Sequence, residues 1–374
     1  EDAVKSVAAR KKHSMGRSDA DRILFYPNSS LIVRKSYTEK LHELAQQCLH
    51  FKEIESSQAE VNTVTSTICL SGEAGTGKTS LLCNFVKEHN FFHQNSIIIP
   101  FIIGVDITDE ETIVRQLGEE LVSIFKLRRK ESDLKYTNVC DWFLQKVEEA
   151  SQAATEMGKY FVIVVDGVDH FSQRIENFSF RWLPRTAINR CRVFVSCNEH
   201  DFSGKEESPV KDMLLSAGFQ FQCINVTDLQ DAQAKYLLTT LLQNETNCFH
   251  FTALQLETIA ELVQRKGSSN NLLYIHTICG EIGRRIACGE SFNTLTDLIE
   301  NSFPDNLESL LLCTIDRVEE QTLTILFESN MMVHAGVEFS GKILVGRVFR
   351  LLVLSRHGMA EEDLKVLLHP AWRA

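Results

Sequence analysis

The sequence lacks any hydrophobic run long enough to cross a membrane. Its longest apolar stretch, Ile97 to Val105, is interrupted by Pro100 and falls well short of the roughly 20 residues that a spanning helix needs. No signal-peptide pattern follows Glu1, the first residue. We therefore expect no membrane span and no secretory signal. Because Glu1 is not methionine, we interpret the sequence as a piece of a longer protein.

Basic residues are too few to dominate the surface. The chain has 39 lysines and arginines against 50 aspartates and glutamates, which gives a formal net charge of -11. Nucleic acid and anionic membranes are bound through an excess of positive charge, so we expect neither as a partner.

Paired cysteine motifs are also missing. The cysteines number 11, which is odd, and no C-x-x-C pair is present. These thiols therefore predict neither a disulfide framework nor a zinc site, and they are typical of the reduced cysteines of a cytoplasmic protein.

What the sequence does contain, within residues 61–226, is an alternation of apolar strands and amphipathic helices. With 374 residues the chain is long enough for two or three packed units. The predicted strands are Thr67–Leu70, Ile97–Val105, Phe161–Val165, Val193–Val195 and Phe219–Ile224. Continuous apolar strands that alternate with helices predict an α/β fold with a five-stranded parallel sheet covered on both faces.

The flanking segments carry helical patterns. We assign residues 1–60 to an N-terminal linker and helix, and residues 61–226 to the domain that contains the predicted sheet. Residues 227–300 predict a helical lid subdomain, with Asp228 as the cap of its first helix. Residues 301–374 predict a partial winged-helix-like module, which an irregular stretch from Met331 to Lys342 interrupts.

A glycine-rich loop between the first strand and the next helix matches the Walker pattern G-x-x-x-x-G-K-[ST] in full. Glycines allow the positive φ angles that turn backbone N–H groups toward an anion, and the following helix adds its dipole. We expect Lys78 to contact the β- and γ-phosphates and Thr79 to ligate Mg²⁺. The predicted nucleotide-binding residues are Gly72, Glu73, Ala74, Gly75, Thr76, Gly77, Lys78, Thr79 and Ser80.

An acidic turn follows the third predicted strand. We expect Asp166 to hold Mg²⁺ as a Walker B aspartate does, and Asp169 to orient or deprotonate the attacking water. Either residue could instead cap a following helix. The strand that ends at Asn198 is expected to lie between the two motifs. Ser196 or Asn198 would then face the γ-phosphate as a polar sensor, or would only form hydrogen bonds within its own loop.

These motifs, together with Asn270–Ile275 and Arg350–Leu364, resemble the signal-transduction P-loop ATPases of the NACHT and apoptotic-ATPase kind. The likeness extends to the group that contains nephrocystin-3 and tetratricopeptide-repeat protein 41. The resemblance implies a nucleotide-binding domain, a lid whose position differs between ATP and ADP states, a winged helix, and C-terminal repeats outside this chain that bind protein partners. It also implies that the chain could associate with itself in a nucleotide-dependent way.

Three positions depart from the family pattern. Asn271 stands where the family often has a proline near the adenine, Cys197 stands where an arginine commonly ends the fourth strand, and His170 follows Asp169 where an acidic pair is usual. These departures predict nucleotide binding without fast hydrolysis.

The sequence thus predicts a cytoplasmic switch or scaffold that binds ATP or ADP with Mg²⁺ and hydrolyses ATP slowly or not at all. ATP is favoured over GTP because no N-K-x-D tetrapeptide is present. Two alternatives stay open. One is an interaction scaffold with a vestigial nucleotide site, and the other is a small-molecule phosphotransferase, for which no acceptor site is recognisable.

Overall fold

The described part of the chain forms two compact units, one ending at Thr227 and the other beginning at Asp228. The computed structural model describes residues 34–50, 65–103, 110–128, 136–169, 180–199, 214, 221–246 and 251–328. The predicted winged-helix segments beyond residue 328 lie outside these ranges. Within them, no helix combines the length and the hydropathy that a bilayer crossing requires.

The first unit contains a five-stranded parallel sheet, which confirms the predicted α/β class. Its strands are β1 Thr67–Gly72, β2 Ser96–Ile102, β3 Tyr160–Asp166, β4 Cys191–Asn198 and β5 Gln222–Asn225. Their order is β2-β3-β4-β1-β5, and every neighbouring pair is parallel. β4 lies between β1 and β3, as predicted. The glycine-rich loop after β1 and the acidic turn after β3 therefore lie on either side of the end of β4.

The strands β2 and β4 differ most from their predicted bounds. β4 spans Cys191–Asn198, where the pattern predicts only Val193–Val195. β2 ends at Ile102, whereas the prediction extends to Val105, and residues 104 and 105 lie outside the described ranges. Pro100 is accommodated because β2 is an outer strand of the described sheet, paired there with β3. A proline has no N–H to donate, and on an outer strand the missing donor can lie on the side away from the paired strand.

In the ranges that the structure describes, four α-helices cover the sheet. They are α1 Lys35–Gln46, α2 Lys78–Phe92, α3 Glu110–Phe125 and α4 Tyr136–Glu156. Successive residues of β3 alternate between two cores. Phe161, Ile163 and Val165 pack with α3 and α4, whereas Tyr160, Val162 and Val164 pack with α1 and α2. Burial on both faces is the reason that the central strands are apolar at nearly every position.

The second unit is helical. Its helices are α5 Asp231–Thr246, α6 Ala253–Gln264, α7 Leu272–Ala287, α8 Phe292–Asn301 and α9 Leu307–Glu328. Side chains cap four of them. Thr252 forms a capping box with Gln255 before α6, and Asn271 accepts two backbone hydrogen bonds at the start of α7. Ser291 caps α8, and Asn306 accepts from the amide of Ser309 at 2.8 Å at the start of α9.

The prediction that Asp228 caps α5 is wrong. The helix begins at Asp231, and the amide of Gln230 is satisfied by the side chain of Gln233. Asp228 lies two residues before that amide and accepts a hydrogen bond from Asn271 at 3.2 Å instead. A cap must sit directly before the first turn to reach its orphan amides, and Asp228 is too far upstream.

Candidate nucleotide-binding site

The loop between β1 and α2 has the backbone geometry of an anion cradle. Gly75 and Gly77 have φ angles of 81° and 92°, a region that side-chain-bearing residues rarely adopt. Gly77 is the N-cap of α2, and no side chain caps the helix there. The hydroxyl of Thr76 donates to the carbonyl of Glu73 at 2.9 Å, which holds the turn closed from within. The first amides of α2 and the positive end of its dipole are therefore available to an anion held by the loop.

Gly72, at the end of β1, is a position where the chain has no space for a side chain. A Cβ there would lie 2.3 Å from the carbonyl oxygen of Val226. Val226 cannot easily withdraw, because its own amide donates to Ser71 at 2.7 Å. The first glycine of the motif is thus required by close packing between the loop and the segment after β5.

Lys78 is buried, with 8% of its surface exposed, and its ammonium group contacts three oxygens. It donates to the carbonyls of Gly72 and Glu73 at 2.8 Å and 2.9 Å and to Oδ1 of Asn198 at 2.8 Å. Burial lowers the pKa of Lys78, while Asp169 and other acidic neighbours oppose that shift. All three contacted oxygens are uncharged, so phosphate oxygens would be stronger partners for this cation.

Asp166, the last residue of β3, lies directly beside Thr79. Its carboxylate accepts hydrogen bonds from the hydroxyls of Ser196 and Thr79. The Ser196 oxygen accepts in turn from the amide of Gly167 at 2.9 Å. Burial is the largest influence on Asp166 and raises the pKa of its carboxyl group. The fold therefore brings together Thr79 and Asp166, the two residues predicted to contact Mg²⁺, which are 87 positions apart in the sequence.

The donor set at this point suits Mg²⁺. One carboxylate and one hydroxyl leave room for the waters and phosphate oxygens that complete the octahedral shell of this ion. A buried carboxylate whose charge is disfavoured gains most from a nearby dication. When bound, the ion would neutralise charge that develops on transferred phosphate.

Asp169 and Asn198 complete the polar cluster. The amide nitrogen of Asn198 donates to Oδ2 of Asp169 at 2.7 Å, while its oxygen accepts from Lys78. Asn198 thus connects the Walker lysine to the second aspartate. Of the two residues considered as γ-phosphate sensors, Asn198 contacts Lys78, and Ser196 contacts Asp166. A helix cap by Asp169 would involve residues outside the described ranges.

The remaining predicted loop residues lie at the rim. Glu73 and Ala74 are exposed, and Ser80 is half-buried on the first turn of α2. Cys197 points away from the site into the core, where its Sγ lies 3.5 Å from that of Cys69. An arginine could not occupy that buried position without displacing the core, so the uncharged end of β4 follows from the packing.

Arg34 is a functional candidate that sequence reasoning misses. It is 4% exposed, and its guanidinium donates to the carbonyl of Thr76 at 2.8 Å. The same group lies 5.4 Å from the ring centroid of Tyr37. Arg34 precedes the loop by 42 positions and belongs to no motif, so only the docking of α1 reveals its contact with the loop.

Replacing Asp166 by asparagine is expected to raise the melting temperature of the ligand-free chain and to remove its response to Mg²⁺. The folded-state pKa is raised, so the stability linked to this group is complete below the unfolded-state pKa. That stability is lost as the pH rises through the folded-state pKa. At neutral pH the buried charge therefore costs stability, and asparagine avoids that cost.

Scanning fluorimetry at pH 7 with ATP, with and without Mg²⁺, checks this prediction. Asp141→Asn on α4 is the matched control because Asp141 is exposed, and we expect it to change stability by less than about 0.5 kcal/mol. A lower melting temperature for the ligand-free Asp166→Asn chain would contradict the argument.

No protein-family model matches the chain. Among curated proteins, tetratricopeptide repeat protein 41 of Mus musculus is 23% identical over 319 residues, which is 82% of this chain and 22% of that protein. Its counterpart from Rattus norvegicus is 22% identical over 317 residues, with the same coverage of 82% and 22%. The chain thus spans about a fifth of the length of these relatives.

Several solved structures are similar to the chain. The Walker-type ATPase of Pyrococcus abyssi gives a TM-score of 0.43 at 13% identity and covers 90% of this chain and 87% of its own. For the ORC2 protein of Aeropyrum pernix, solved in ADPNP-ADP complexes, the TM-score is 0.45 and the identity 12%, and the match covers 91% of this chain and 94% of that one. For Cdc6p from Pyrobaculum aerophilum the TM-score is 0.41 and the identity 12%, and the match covers 90% of this chain and 79% of that one. The first unit has the predicted α/β architecture, with a five-stranded parallel sheet and a glycine-rich loop between β1 and α2.

Proposed function

We propose that this chain binds ATP or ADP with Mg²⁺ at residues 72–80 and acts as a nucleotide-dependent switch or scaffold. The observation that carries the proposal is the convergence of Lys78, Thr79, Asp166 and Asp169 at the carboxyl ends of β1 and β3, the two parallel strands on either side of β4. Ligands of open α/β sheets bind at this edge.

The contacts of the loop support a polyphosphate ligand in particular. A buried ammonium, a glycine-rich turn with positive φ angles and an uncapped helix N-terminus all favour a multiply charged anion. The Thr79 and Asp166 oxygens favour a hard dication beside it. ATP and ADP with Mg²⁺ supply both charges in one ligand.

The end of β4 supports slow or absent hydrolysis. Its last residues, Ser196, Cys197 and Asn198, carry no charge. A cation placed on the transferring phosphoryl group accelerates such reactions by about 10³- to 10⁵-fold. Asp169 would act as the base or water-orienting group, and it is already hydrogen-bonded to Asn198. A site of this kind holds its nucleotide long enough to report which one is bound.

The roles of the other segments belong to the same proposal. Residues 61–226 would form the nucleotide-binding domain of a NACHT-like ATPase, 227–300 its lid and 301–374 a winged-helix-like module, with 1–60 as linker and helix. A lid responds to nucleotide only if its two states differ in free energy of interaction with ATP and ADP. Partner binding would use regions outside this chain, in the cytoplasm, and self-association would depend on the nucleotide.

The direct test combines mass spectrometry of nucleotide released from the purified chain with a phosphate-release assay and melting curves. We expect ATP or ADP in the released fraction and a higher melting temperature with either nucleotide and Mg²⁺. A ligand at 100 times its Kd stabilises a protein by about 2.7 kcal/mol. We expect phosphate release to be slow or undetectable. A chain that carries no nucleotide and melts identically with ATP, ADP and GTP would instead be a scaffold with a vestigial site.

A further inference from the structure

Three histidines from two packed helices form a cluster at the end of α2 that is remote from the Walker loop. His42 belongs to α1, His89 to the last turns of α2, and His93 is the C-cap of α2. One ring nitrogen of each lies within 4.8 Å of the other two. We propose that this histidine cluster binds one transition-metal ion of the class that prefers imidazole ligands, with Zn²⁺ as its representative.

The positions along the helices suit chelation. His89 and His93 are four residues apart, the spacing that brings two side chains to one face of a helix. His42 approaches from α1, so that its Nδ1 lies 2.7 Å from Nδ1 of His89. Zn–N bonds of about 2.0–2.1 Å place two ligand nitrogens about 3.3 Å apart in a tetrahedral site, so this pair needs to separate only slightly.

Hydrogen bonds around the cluster hold the imidazole rings in place. The Ser96 hydroxyl donates to the carbonyl of His93 at 2.6 Å. The Tyr160 hydroxyl lies 2.7 Å from Nε2 of His89, which leaves Nδ1 of that ring facing His42.

His42 has a similar arrangement. Its Nε2 lies 3.4 Å from the carboxylate of Glu88, and its Nδ1 lies 2.7 Å from Nδ1 of His89. In the metal-free chain one of the two Nδ1 atoms donates a proton to the other, and a metal ion ligated by both would take the place of that proton.

The outer partners are those expected around metal-bound histidines. A ligating imidazole commonly donates its second N–H to a carboxylate or another acceptor, and this fixes the ring orientation. Glu88 would serve His42 in this way and Tyr160 would serve His89. Three imidazoles leave a fourth position for water.

The cluster is tested by titrating the full chain, without a histidine tag and stripped with chelator, with Co²⁺ and then Zn²⁺. We expect one equivalent of Co²⁺ to give visible d–d absorption without a thiolate charge-transfer band, Zn²⁺ to displace it, and Zn²⁺ to raise the melting temperature. The absence of the thiolate band separates this cluster from the exposed cysteines Cys223, Cys288 and Cys313.

Variants identify the ligands. His93→Gln and His42→Gln are expected to lose the Co²⁺ spectrum, whereas His276→Gln, a partly buried histidine of the helical unit, should keep it. Tyr160→Phe retains every ligand and is expected to weaken Co²⁺ binding by about 10- to 100-fold, as loss of an outer partner does. Circular dichroism and melting without metal establish that each variant is folded.

Two results would overturn the proposal. The first is an unchanged Co²⁺ spectrum in folded His93→Gln. The second is a wild-type chain whose melting temperature and absorption ignore both metals. In the second case the histidines share a proton in a hydrogen-bonded row that runs from Tyr160 to Glu88.

Discussion

Replacing Lys78 by alanine is expected to weaken ATP binding by about 30-fold to several thousand-fold. Removing one partner of a buried charge pair costs about 2–5 kcal/mol, and about 1.4 kcal/mol corresponds to a tenfold change in Kd. Lys78 is almost fully buried at the loop, and the substitution removes the single ammonium group that contacts Gly72, Glu73 and Asn198. Calorimetry with ATP and Mg²⁺ measures the effect.

The same substitution also removes the donor to two loop carbonyls, so a control must separate binding from folding. A buried carbonyl left without its donor costs about 1–3 kcal/mol, and we expect a lower melting temperature with unchanged circular dichroism. Lys87→Ala removes the same charge from the same helix and should leave the affinity for ATP within about twofold of wild type. Unchanged affinity in folded Lys78→Ala would contradict the assignment of the loop.

Gly72→Ala is expected to destabilise the first unit strongly. The new Cβ would stand 2.3 Å from a backbone oxygen of Val226, which a flexible side chain could avoid but a hydrogen-bonded main chain cannot. Overpacking of this kind costs about 1–3 kcal/mol, and about 2–4 °C of melting temperature is lost per kcal/mol in a unit of this size. Chemical denaturation and calorimetric melting of the ligand-free chain measure the loss.

Gly280→Ala provides the matched comparison. Gly280 is an exposed glycine of α7, and a Cβ there would meet nothing within 4 Å. Alanine in a helix interior is favoured over glycine by about 1 kcal/mol, so this variant should melt at or above the wild-type temperature. Equal melting temperatures for Gly72→Ala and wild type would mean that the segment after β5 moves away freely.

Much of the fold follows from local pattern. Phe161 to Val165 is continuously apolar, and the structure extends that strand by one residue at each end because both of its faces are buried. The insertion of β4 between β1 and β3 follows from the arrangement of the two motifs. Local pattern failed at Asp228, where residue type suggested a cap but the helix starts three residues later. It also says little about β5, whose outer position leaves Gln222 and Asn225 exposed.

The site divides along the same line. Residues of the Walker loop are contiguous, so their proximity needs no tertiary information, and the carboxyl edge of a parallel sheet brings Asp166 to Thr79. The bridge through Asn198 depends on side-chain placement that no spacing encodes. Arg34 and the histidine cluster depend on how α1 docks on α2, and separations of 42 and 47 positions leave no periodic trace in the sequence.

The hydrogen bond from Arg34 to the carbonyl of Thr76 has a thermodynamic consequence for the first helix. If this turn binds phosphate as proposed, and if the bound anion changes the free energy of the Arg34 contact, nucleotide binding and the docking of α1 are linked equilibria. The factor by which one favours the other is then the same in both directions. A partner that binds the residues around Arg34 would thereby change the affinity for the triphosphate without contacting it, and bound triphosphate would change the affinity for that partner by the same factor.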